Sequence, residues 1–268
     1  MRFDFHTHHD RCGHAEGSIR DYIEAALERG LTMIGISDHS PFFGNPDNQP
    51  FPGVAMARSE FPNYVREVLE LKDEYAGKID VLLGVESDFF PKHAHVYSSV
   101  YEQYPFDYII GSVHAVGGLS IFNRNRWKKL TEQQKIETKD AYFKEIQLSA
   151  RSGMFDILGH IDAMRGYYPE FTDIPSNELE RTLEVIAECD VAIEINTSGK
   201  TKDCGGWYPI DDTLALALTY GVKVTFGSDA HVPERVADEW DEVSARLKEI
   251  GYKEWAVFRG RQRTMVPL

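Results

Sequence analysis

Short apolar runs alternate with longer amphipathic segments along most of the chain. The apolar runs predict seven strands, at 2–6, 33–37, 81–86, 108–112, 156–159, 191–196 and 222–227. Helical spacing of apolar residues predicts seven helices between them, at 18–29, 59–76, 94–103, 131–152, 176–189, 210–220 and 235–250. A further short strand is expected at 255–259.

The order of these elements indicates an α/β fold. Glycines at 30, 153 and 221 follow three of the predicted helices, where a helix C-terminus favours glycine. Strands that alternate with helices and have apolar interiors are typical of a parallel sheet. Seven such units with no obvious second core favour a barrel of seven strands. An open doubly wound sheet is the alternative, because periodicity alone does not separate the two.

Composition and charge narrow the class of protein. The chain has 268 residues, of which 42% are hydrophobic and 27% charged, as in ordinary globular proteins. No repeat or linker interrupts it, so one domain over 1–268 is expected. The net charge of −14 argues against a general nucleic-acid or anionic-membrane partner. The sequence has no apolar run long enough to span a bilayer and no signal-like start, and its three cysteines are odd in number and widely spaced. We expect a cytoplasmic protein.

Most of the ten histidines fall at the ends of the predicted strands. The residues at or just after strand ends are His6, His8, His39, Glu86, His114, His160, Asp229 and His231, and His14 lies in the loop that continues from His8. In a parallel barrel the C-terminal strand ends form one face, and active sites are built there. Seven imidazoles and two carboxylates would therefore converge on one mouth.

The convergence of these side chains predicts metal binding. A single histidine at a strand end is more often a hydrogen-bonded surface or core group than a metal ligand. A packed set of imidazoles and carboxylates, however, is costly unless a cation joins them, and nitrogen and oxygen ligands suit zinc, iron or manganese. His6 and His8 are spaced i, i+2, which places both side chains on the same side of an extended segment.

The motifs around these residues resemble those of the PHP (polymerase and histidinol phosphatase) family. The matching segments, in family order, are His6-Thr7-His8, Cys12-Gly13-His14, Ser37-Asp38-His39, Gly84-Val85-Glu86, Gly111-Ser112-Val113-His114, Gly159-His160-Ile161-Asp162 and Gly227-Ser228-Asp229-Ala230-His231. The resemblance runs from residue 2 to about 236. It is strongest to stand-alone histidinol-phosphate phosphatases, although the segments that support this substrate are less specific than the metal motifs.

The resemblance implies a distorted (β/α)7 barrel that holds three divalent ions. His6, His8, Glu86 and Asp229 would hold the first ion. Glu86 would bridge to a second ion bound by His114 and His160. His14, His39 and His231 would hold the third. All nine positions carry the residue type that the family pattern requires.

The same resemblance implies hydrolysis of a small phosphate ester, histidinol phosphate in histidine biosynthesis. Three divalent ions outweigh two carboxylates, so the mouth would attract a phosphate dianion despite the acidic surface. The expected catalytic residues are Asp229, His231 and Arg165, and the expected substrate contacts are Arg165, His39 and His231. Two alternatives stay open: a phosphatase for another ester, such as phosphotyrosine or a sugar phosphate, and a non-catalytic metal-binding PHP module.

Several residues near the predicted mouth have two interpretations. Arg165 lies five residues after His160 and could either contact phosphate or form an ion pair on the barrel rim. Asp162 could either support a ligating histidine or open a helix, and Cys12 could be a sulfur ligand or a buried filler. Aromatic residues in the predicted loops could recognise an imidazole or merely pack: Phe42, Phe43, Trp127, Tyr167, Tyr168 and Trp207.

Overall fold

The computed structural model describes residues 1–268 and confirms the alternation of strands and helices. The strands are β1 (Phe3–Asp4), β2 (Met33–Ile36), β3 (Asp80–Leu83), β4 (Glu86–Asp88), β5 (Ile110–Ser112), β6 (Ala115–Val116), β7 (Leu119–Ser120), β8 (Ile157–Leu158), β9 (Ala192–Asn196), β10 (Val224–Gly227), β11 (Glu254–Arg259) and β12 (Gln262–Pro267). The helices are α1 (Ile19–Glu28), α2 (Phe61–Glu74), α3 (Ala94–Tyr101), α4 (Glu132–Arg151), α5 (Glu178–Glu188), α6 (Asp211–Thr219) and α7 (Trp240–Ile250).

The parallel strands close into a ring. β1, β2 and β3 form one sheet, and β4, β5, β8, β9 and β10 follow one another in the second. The backbone N–H of Phe5 donates to the carbonyl of Phe226 at 3.1 Å, which joins β1 to β10. The N–H of Glu86 donates to the carbonyl of Ser37 at 2.8 Å, which joins β4 to the end of β2. The predicted barrel is confirmed, and the open sheet is wrong.

The third barrel strand, predicted as one segment, is broken at Gly84 and Val85 into β3 and β4. The Tyr108 ring packs against this point so closely that a Cβ on Gly84 would lie 2.3 Å from it. The carbonyl of Gly84 accepts a hydrogen bond from the Tyr64 hydroxyl at 2.7 Å, so a side chain takes the place of a strand partner. The break lets β3 pair with β2 and β4 pair with β5, which distorts the barrel.

Capping residues explain where two of the helices, α1 and α4, begin. Ser18 and Thr131 each form a capping box at the start of α1 and α4, close to the predicted bounds. Helix α7 is the exception, because it begins at Trp240 and not near residue 235. Ala237 and Glu239 have φ angles of 55° and 59°, and this left-handed backbone cannot continue a right-handed helix.

A hairpin of β11 and β12 covers the N-terminal ends of the barrel strands. The predicted strand at 255–259 is confirmed as part of β11, whereas β12 was not predicted. Trp255 packs edge-on against Phe3, with ring centroids 5.6 Å apart. Three arginines of the hairpin pair with aspartates at or next to strand starts: Arg259 with Asp80, Arg261 with Asp156, and Arg263 with Asp190. The opposite end of the barrel is left for the site.

One continuous cluster of 70 buried apolar residues connects the barrel with its helices and the terminal hairpin. This amount of burial holds the strand ends in fixed positions, because apolar burial is the main favourable term in folding. No helix combines the length and the apolar character that crossing a membrane would require.

Candidate metal centre

The nine predicted ligands meet at the C-terminal end of the barrel. Barrel strands or the turns after them position His6, His8, His39, Glu86, His114, His160, Asp229 and His231, and the loop before α1 brings in His14. The members exposed to the mouth line a cavity of about 440 Å³. His160 and Asp229 have positive φ angles of 23° and 54°, a backbone region that costs about 1–3 kcal/mol for such residues. Such strain is concentrated at functional sites.

The residues predicted for the first ion are packed together. His8 Nε2 lies 3.0 Å from Asp229 Oδ1, and His6 Nε2 lies 3.8 Å from the same oxygen. Glu86 Oε2 is 3.5 Å from His6 Nε2 and 3.7 Å from His8 Nε2. Three of these residues, His6, His8 and Glu86, have ligand atoms within 4.8 Å of one another. The four side chains therefore surround a single point.

Glu86 also faces the residues predicted for the second ion. Its Oε1 lies 3.3 Å from His114 Nε2 and 3.1 Å from His160 Nε2. The two imidazole nitrogens are 3.2 Å apart. One carboxylate thus has an oxygen directed at each of two neighbouring groups, which is the arrangement that a bridging ligand needs.

The third group is more open to solvent. His14 Nε2 and His231 Nε2 are 3.1 Å apart. His39 can join His231 and His8 in a ligand group within 4.8 Å, but its Nδ1 lies only 2.8 Å from Glu86 Oε2. His39 therefore stands between the third group and the bridging carboxylate.

The donor atoms fit a metal ion, because several are buried without a hydrogen-bond partner. His6 Nε2, His8 Nε2 and Glu86 Oε2 are buried, and their contacts with neighbouring carboxylates and imidazoles, at 2.8–3.8 Å, lack hydrogen-bond geometry. A buried polar atom without a partner costs about 1–3 kcal/mol. Three such atoms that converge on one point are explained by a cation, and nitrogen with oxygen donors suits zinc, iron or manganese.

These side chains also change one another's pKa values. Burial disfavours a charged imidazole at His8, but Asp229 and Asp38 outweigh it and raise the pKa of His8 to about 9. Burial alone would raise the pKa of Glu86, yet the surrounding imidazoles, His39 first, hold it well below its usual range. Burial, with repulsion from His8, lowers the pKa of His231 to about 3. Binding of a divalent ion to His8 therefore releases a proton at neutral pH.

Residues 4–198 match the PHP domain family. The chain belongs to the PHP family. A probable histidinol-phosphatase of Deinococcus radiodurans is 32% identical over 92% of this chain and 93% of its own length. The histidinol-phosphatase of Bacillus subtilis is 29% identical over 85% of this chain and 92% of its own. The fold is similar to that of a histidinol phosphate phosphatase from Lactococcus lactis, crystallised with zinc, L-histidinol and phosphate. The TM-score is 0.81 at 21% identity, over 98% of both chains.

Three carboxylates that the sequence analysis did not assign hold the histidines of this PHP site. Asp38 Oδ1 lies 3.2 Å from His8 Nδ1, and Asp88 Oδ1 lies 3.0 Å from His114 Nδ1. Glu194 Oε2 lies 2.8 Å from His6 Nδ1. Metal-binding histidines commonly donate their other ring nitrogen to such a carboxylate, which fixes the ring. The sequence did offer a signal for these carboxylates. Glu194 is an acidic residue inside a predicted apolar strand, and Asp38 and Asp88 lie one and two residues after predicted strands.

Arg165 is not brought to the ligand cluster of the PHP site. Its guanidinium is buried, with Nε donating to Asp162 Oδ2 at 3.1 Å and Nη2 donating to the carbonyl of Trp207. It lies 5.3 Å from the centre of the Tyr208 ring and lines a neighbouring cavity of about 700 Å³. The side chain thus makes the ion pair that was the alternative interpretation, at the edge of the metal pocket.

Asp162 takes neither of its two interpretations, because its side chain caps no helix and bonds no histidine, whereas Cys12 is packed as a buried thiol. Asp162 Oδ2 accepts hydrogen bonds from Arg165 and from the backbone N–H of Ile210, and none from His160. Cys12 is fully buried, and its thiol donates to the carbonyl of His9 at 3.2 Å. Burial raises the pKa of this thiol, which favours the buried-filler interpretation, although its sulfur lies within 4.8 Å of ligand atoms of His8 and Asp38.

The aromatic residues predicted near the mouth differ in position. Tyr167 lines the metal pocket, together with Phe122, which the sequence analysis did not single out. Trp127 stacks on Tyr168 at 4.6 Å, and Phe43 packs among core aromatics such as Phe61. Tyr167 and Phe122, with Tyr208, are placed to contact a substrate in the metal pocket, whereas Trp127, Tyr168 and Phe43 are not.

Proposed function

We propose that this protein is a metal-dependent phosphomonoester hydrolase that converts L-histidinol phosphate and water to L-histidinol and phosphate, a step of histidine biosynthesis. The observation that carries the proposal is the complete set of nine ligand residues at the barrel mouth. The reaction class follows from that set. The substrate is suggested by the relatives named histidinol-phosphatases, which align with this chain over most of its length.

Three divalent ions, of zinc, iron or manganese, would occupy the centre. His6, His8, Glu86 and Asp229 would hold the first, Glu86 with His114 and His160 the second, and His14, His39 and His231 the third. Paired divalent ions about 3.5–4 Å apart activate a water and stabilise the attacking and leaving oxygens of an in-line displacement. The three free cysteines fit the cytoplasmic location that we propose.

Basic side chains at the mouth would bind the phosphate. Lys202 and Arg235 line the same cavity as the ligands, and the open third group leaves His39 and His231 in contact with it. Arg165 would join them if its guanidinium turns from the neighbouring cavity toward the phosphate. Paired N–H donors of arginine match two phosphate oxygens, which favours this contact.

Of the two predicted residues Asp229 and His231, Asp229 would handle the protons of the reaction. Burial alone would raise the pKa of Asp229, but His6 and His8 hold it well below its usual range, so the carboxylate is ionised. His231 is neutral at pH 7 and donates no proton as an imidazolium. We therefore assign to the Asp229 carboxylate the passage of the proton from the attacking water to the leaving oxygen. Asn196 and Ser198 donate to its Oδ2, which fixes the carboxylate with Oδ1 directed at the cluster.

Phe122 and Tyr167 would contact the organic part of the substrate. Their rings meet edge to face at 6.2 Å, and Phe122 lies 5.5 Å from the His114 ring. An aromatic wall beside a metal centre suits a flat heterocycle such as imidazole.

Histidinol phosphate is expected to be the preferred ester, with kcat/KM at least about tenfold above aryl and sugar phosphates, or about 1.4 kcal/mol. The physical reason is that only an imidazole-bearing alcohol places its phosphate at the ions and its ring at Phe122 and Tyr167. The measurement is phosphate release across a panel that includes phosphotyrosine and hexose phosphates.

A variant with Phe122→Ala serves as the control, because it should lower the preference without lowering metal content. Equal efficiency across the panel would favour a general phosphatase. Absence of turnover on every ester, with ions bound, would favour the non-catalytic module.

Replacing Arg165 by alanine is expected to raise KM and lower kcat/KM by about 10- to 150-fold, since a hydrogen bond to a charged group contributes about 1.5–3 kcal/mol. The matched control is Asp162→Asn, which breaks the same ion pair but keeps the guanidinium. Both variants should melt at lower temperature, and only Arg165→Ala should change KM. If both variants keep normal kinetics, Arg165 has only its ion-pair role.

A further inference from the structure

β9 is the barrel strand that supplies no predicted ligand, yet it carries a buried carboxylate at the centre of the site. Glu194 lies in the middle of β9 and is only 1% exposed. The strands on either side, β8 and β10, lead directly into the ligands His160 and Asp229. Glu194 is therefore enclosed between elements that deliver ligands.

Each oxygen of Glu194 is bonded to a different part of the site. Oε2 lies 2.8 Å from His6 Nδ1. Oε1 accepts from the backbone N–H of His160 at 2.9 Å and from Asn196 Nδ2 at 2.8 Å. The same amide nitrogen of Asn196 lies 3.3 Å from Asp229 Oδ2. One carboxylate and one amide thus connect ligands from three strands.

The charge of Glu194 has no basic side chain beside it. Its ion-pair partner is His6, and no lysine or arginine lies within 4.0 Å. A buried charge is costly unless it is paired and hydrogen-bonded. Glu194 accepts hydrogen bonds from His6, His160 and Asn196. The first two are predicted ligands, and Asn196 bonds the predicted ligand Asp229, so the buried Glu194 carboxylate is held entirely by the site.

The neighbouring strand leaves space for this carboxylate. A Cβ on Gly227 would lie 2.5 Å from Glu194 Oε2 and 2.6 Å from the Cβ of His6. Glycine at this position therefore allows the side chains of Glu194 and His6 to meet. Any larger residue would push the carboxylate away from the imidazole.

We propose that Glu194 is a positioning residue that joins two of the ion sites. Its Oε2 keeps the proton of His6 on Nδ1, which leaves Nε2 free to bind the first ion. Its Oε1 holds the left-handed turn at His160, which directs that imidazole toward the second ion. Glu194 makes no contact with the third group, so the third ion should not depend on it. The inference rests on the metal centre proposed above, and not on the identity of the substrate.

The test is Glu194→Gln, measured by titration of metal-stripped protein with Zn²⁺ in competition with a chromophoric chelator. If the glutamine oxygen keeps the bonds from His160 and Asn196, its NH₂ group faces His6 Nδ1 and moves the ring proton to Nε2. We expect affinity at the first two sites to fall by about 10- to 100-fold, the usual effect of losing such a partner, with the third site unchanged. Nitrogen-15 NMR of the histidine rings should show the change of tautomer at His6.

Two further variants make the result specific. Gly227→Ala keeps the carboxylate but displaces both it and His6, so affinity at the first site should fall for either reason; a fall at the second site, where His6 is no ligand, reports the displacement of Glu194. Thr225→Val changes the residue in register with Glu194 on β10, whose buried hydroxyl has no partner, and it should leave all affinities unchanged. Wild-type affinities in both Glu194→Gln and Gly227→Ala would overturn the proposal, even if their melting temperatures fall. Because the titration contains no ester, a failure of the histidinol phosphate prediction leaves this result unaffected.

Discussion

Replacing Glu86 by glutamine is expected to reduce kcat/KM by about 150- to 4,000-fold and to remove ions from two sites at once. The Glu86 carboxylate lies within 3.7 Å of nitrogens from five histidines: His6, His8, His39, His114 and His160. Breaking one side of a buried charge pair costs about 3–5 kcal/mol, and a neutral amide cannot serve two cations. The measurements are steady-state phosphate release and metal content per chain by mass spectrometry.

Asp107→Asn is the matched control for Glu86→Gln. Asp107 is also a buried carboxylate, but it binds Lys72 and the backbone of Leu83 at the opposite end of the barrel. Its loss should lower the melting temperature and leave the ion content unchanged. Unchanged ion content and rate in Glu86→Gln would show that this carboxylate does not bridge.

Prolonged chelation is expected to abolish phosphatase activity, with at least about a 10³-fold loss, since a divalent ion contributes several kcal/mol to stabilising the developing charge. The metal-replete protein should contain two to three divalent ions per chain. Removing them takes away the cations that join the buried imidazoles and carboxylates, and with them the stabilisation that binding gives to the folded state, so the melting temperature should fall as well. The measurements are metal content, thermal unfolding and activity before and after chelation.

Addition of Zn²⁺, Fe²⁺ or Mn²⁺ to the chelated protein should restore the rate and identify which metal supports turnover. A metal-free preparation that keeps full turnover would contradict the mechanism, whatever ion the protein can bind.

The features of the fold and of the site that depend on periodicity and on motif position were predicted from the sequence. The barrel, its seven helices and the meeting of nine ligands at one end follow from alternating apolar patterns and the direction of parallel strands. The late start of α7 was missed because left-handed backbone at Ala237 and Glu239 has no sequence signature in non-glycine residues. The break between β3 and β4 was missed because it depends on the distant ring of Tyr108.

The residues that hold the predicted ligands in place were harder to predict than the ligands themselves. Asp38, Asp88 and Glu194 touch their histidines only after strands 26 to 188 residues apart have paired. The position of Arg165 depends on the loop that carries Trp207 and Tyr208, which approaches from another part of the chain. Contacts of this kind are set by tertiary packing, and a local pattern does not contain them.

Closure of the ring between β1 and β10 determines when the proposed metal centre can form. Asp4 and Ser228, which bond across this seam, are 224 positions apart. At ~5–20 residues per second, a ribosome makes His231 roughly 10–45 s after His6. During that interval the nascent chain carries early histidines but lacks Asp229, and Glu194 arrives only late. The proposed first ion can therefore meet its full set of ligands only after the ribosome has passed Asp229 and the ring has closed.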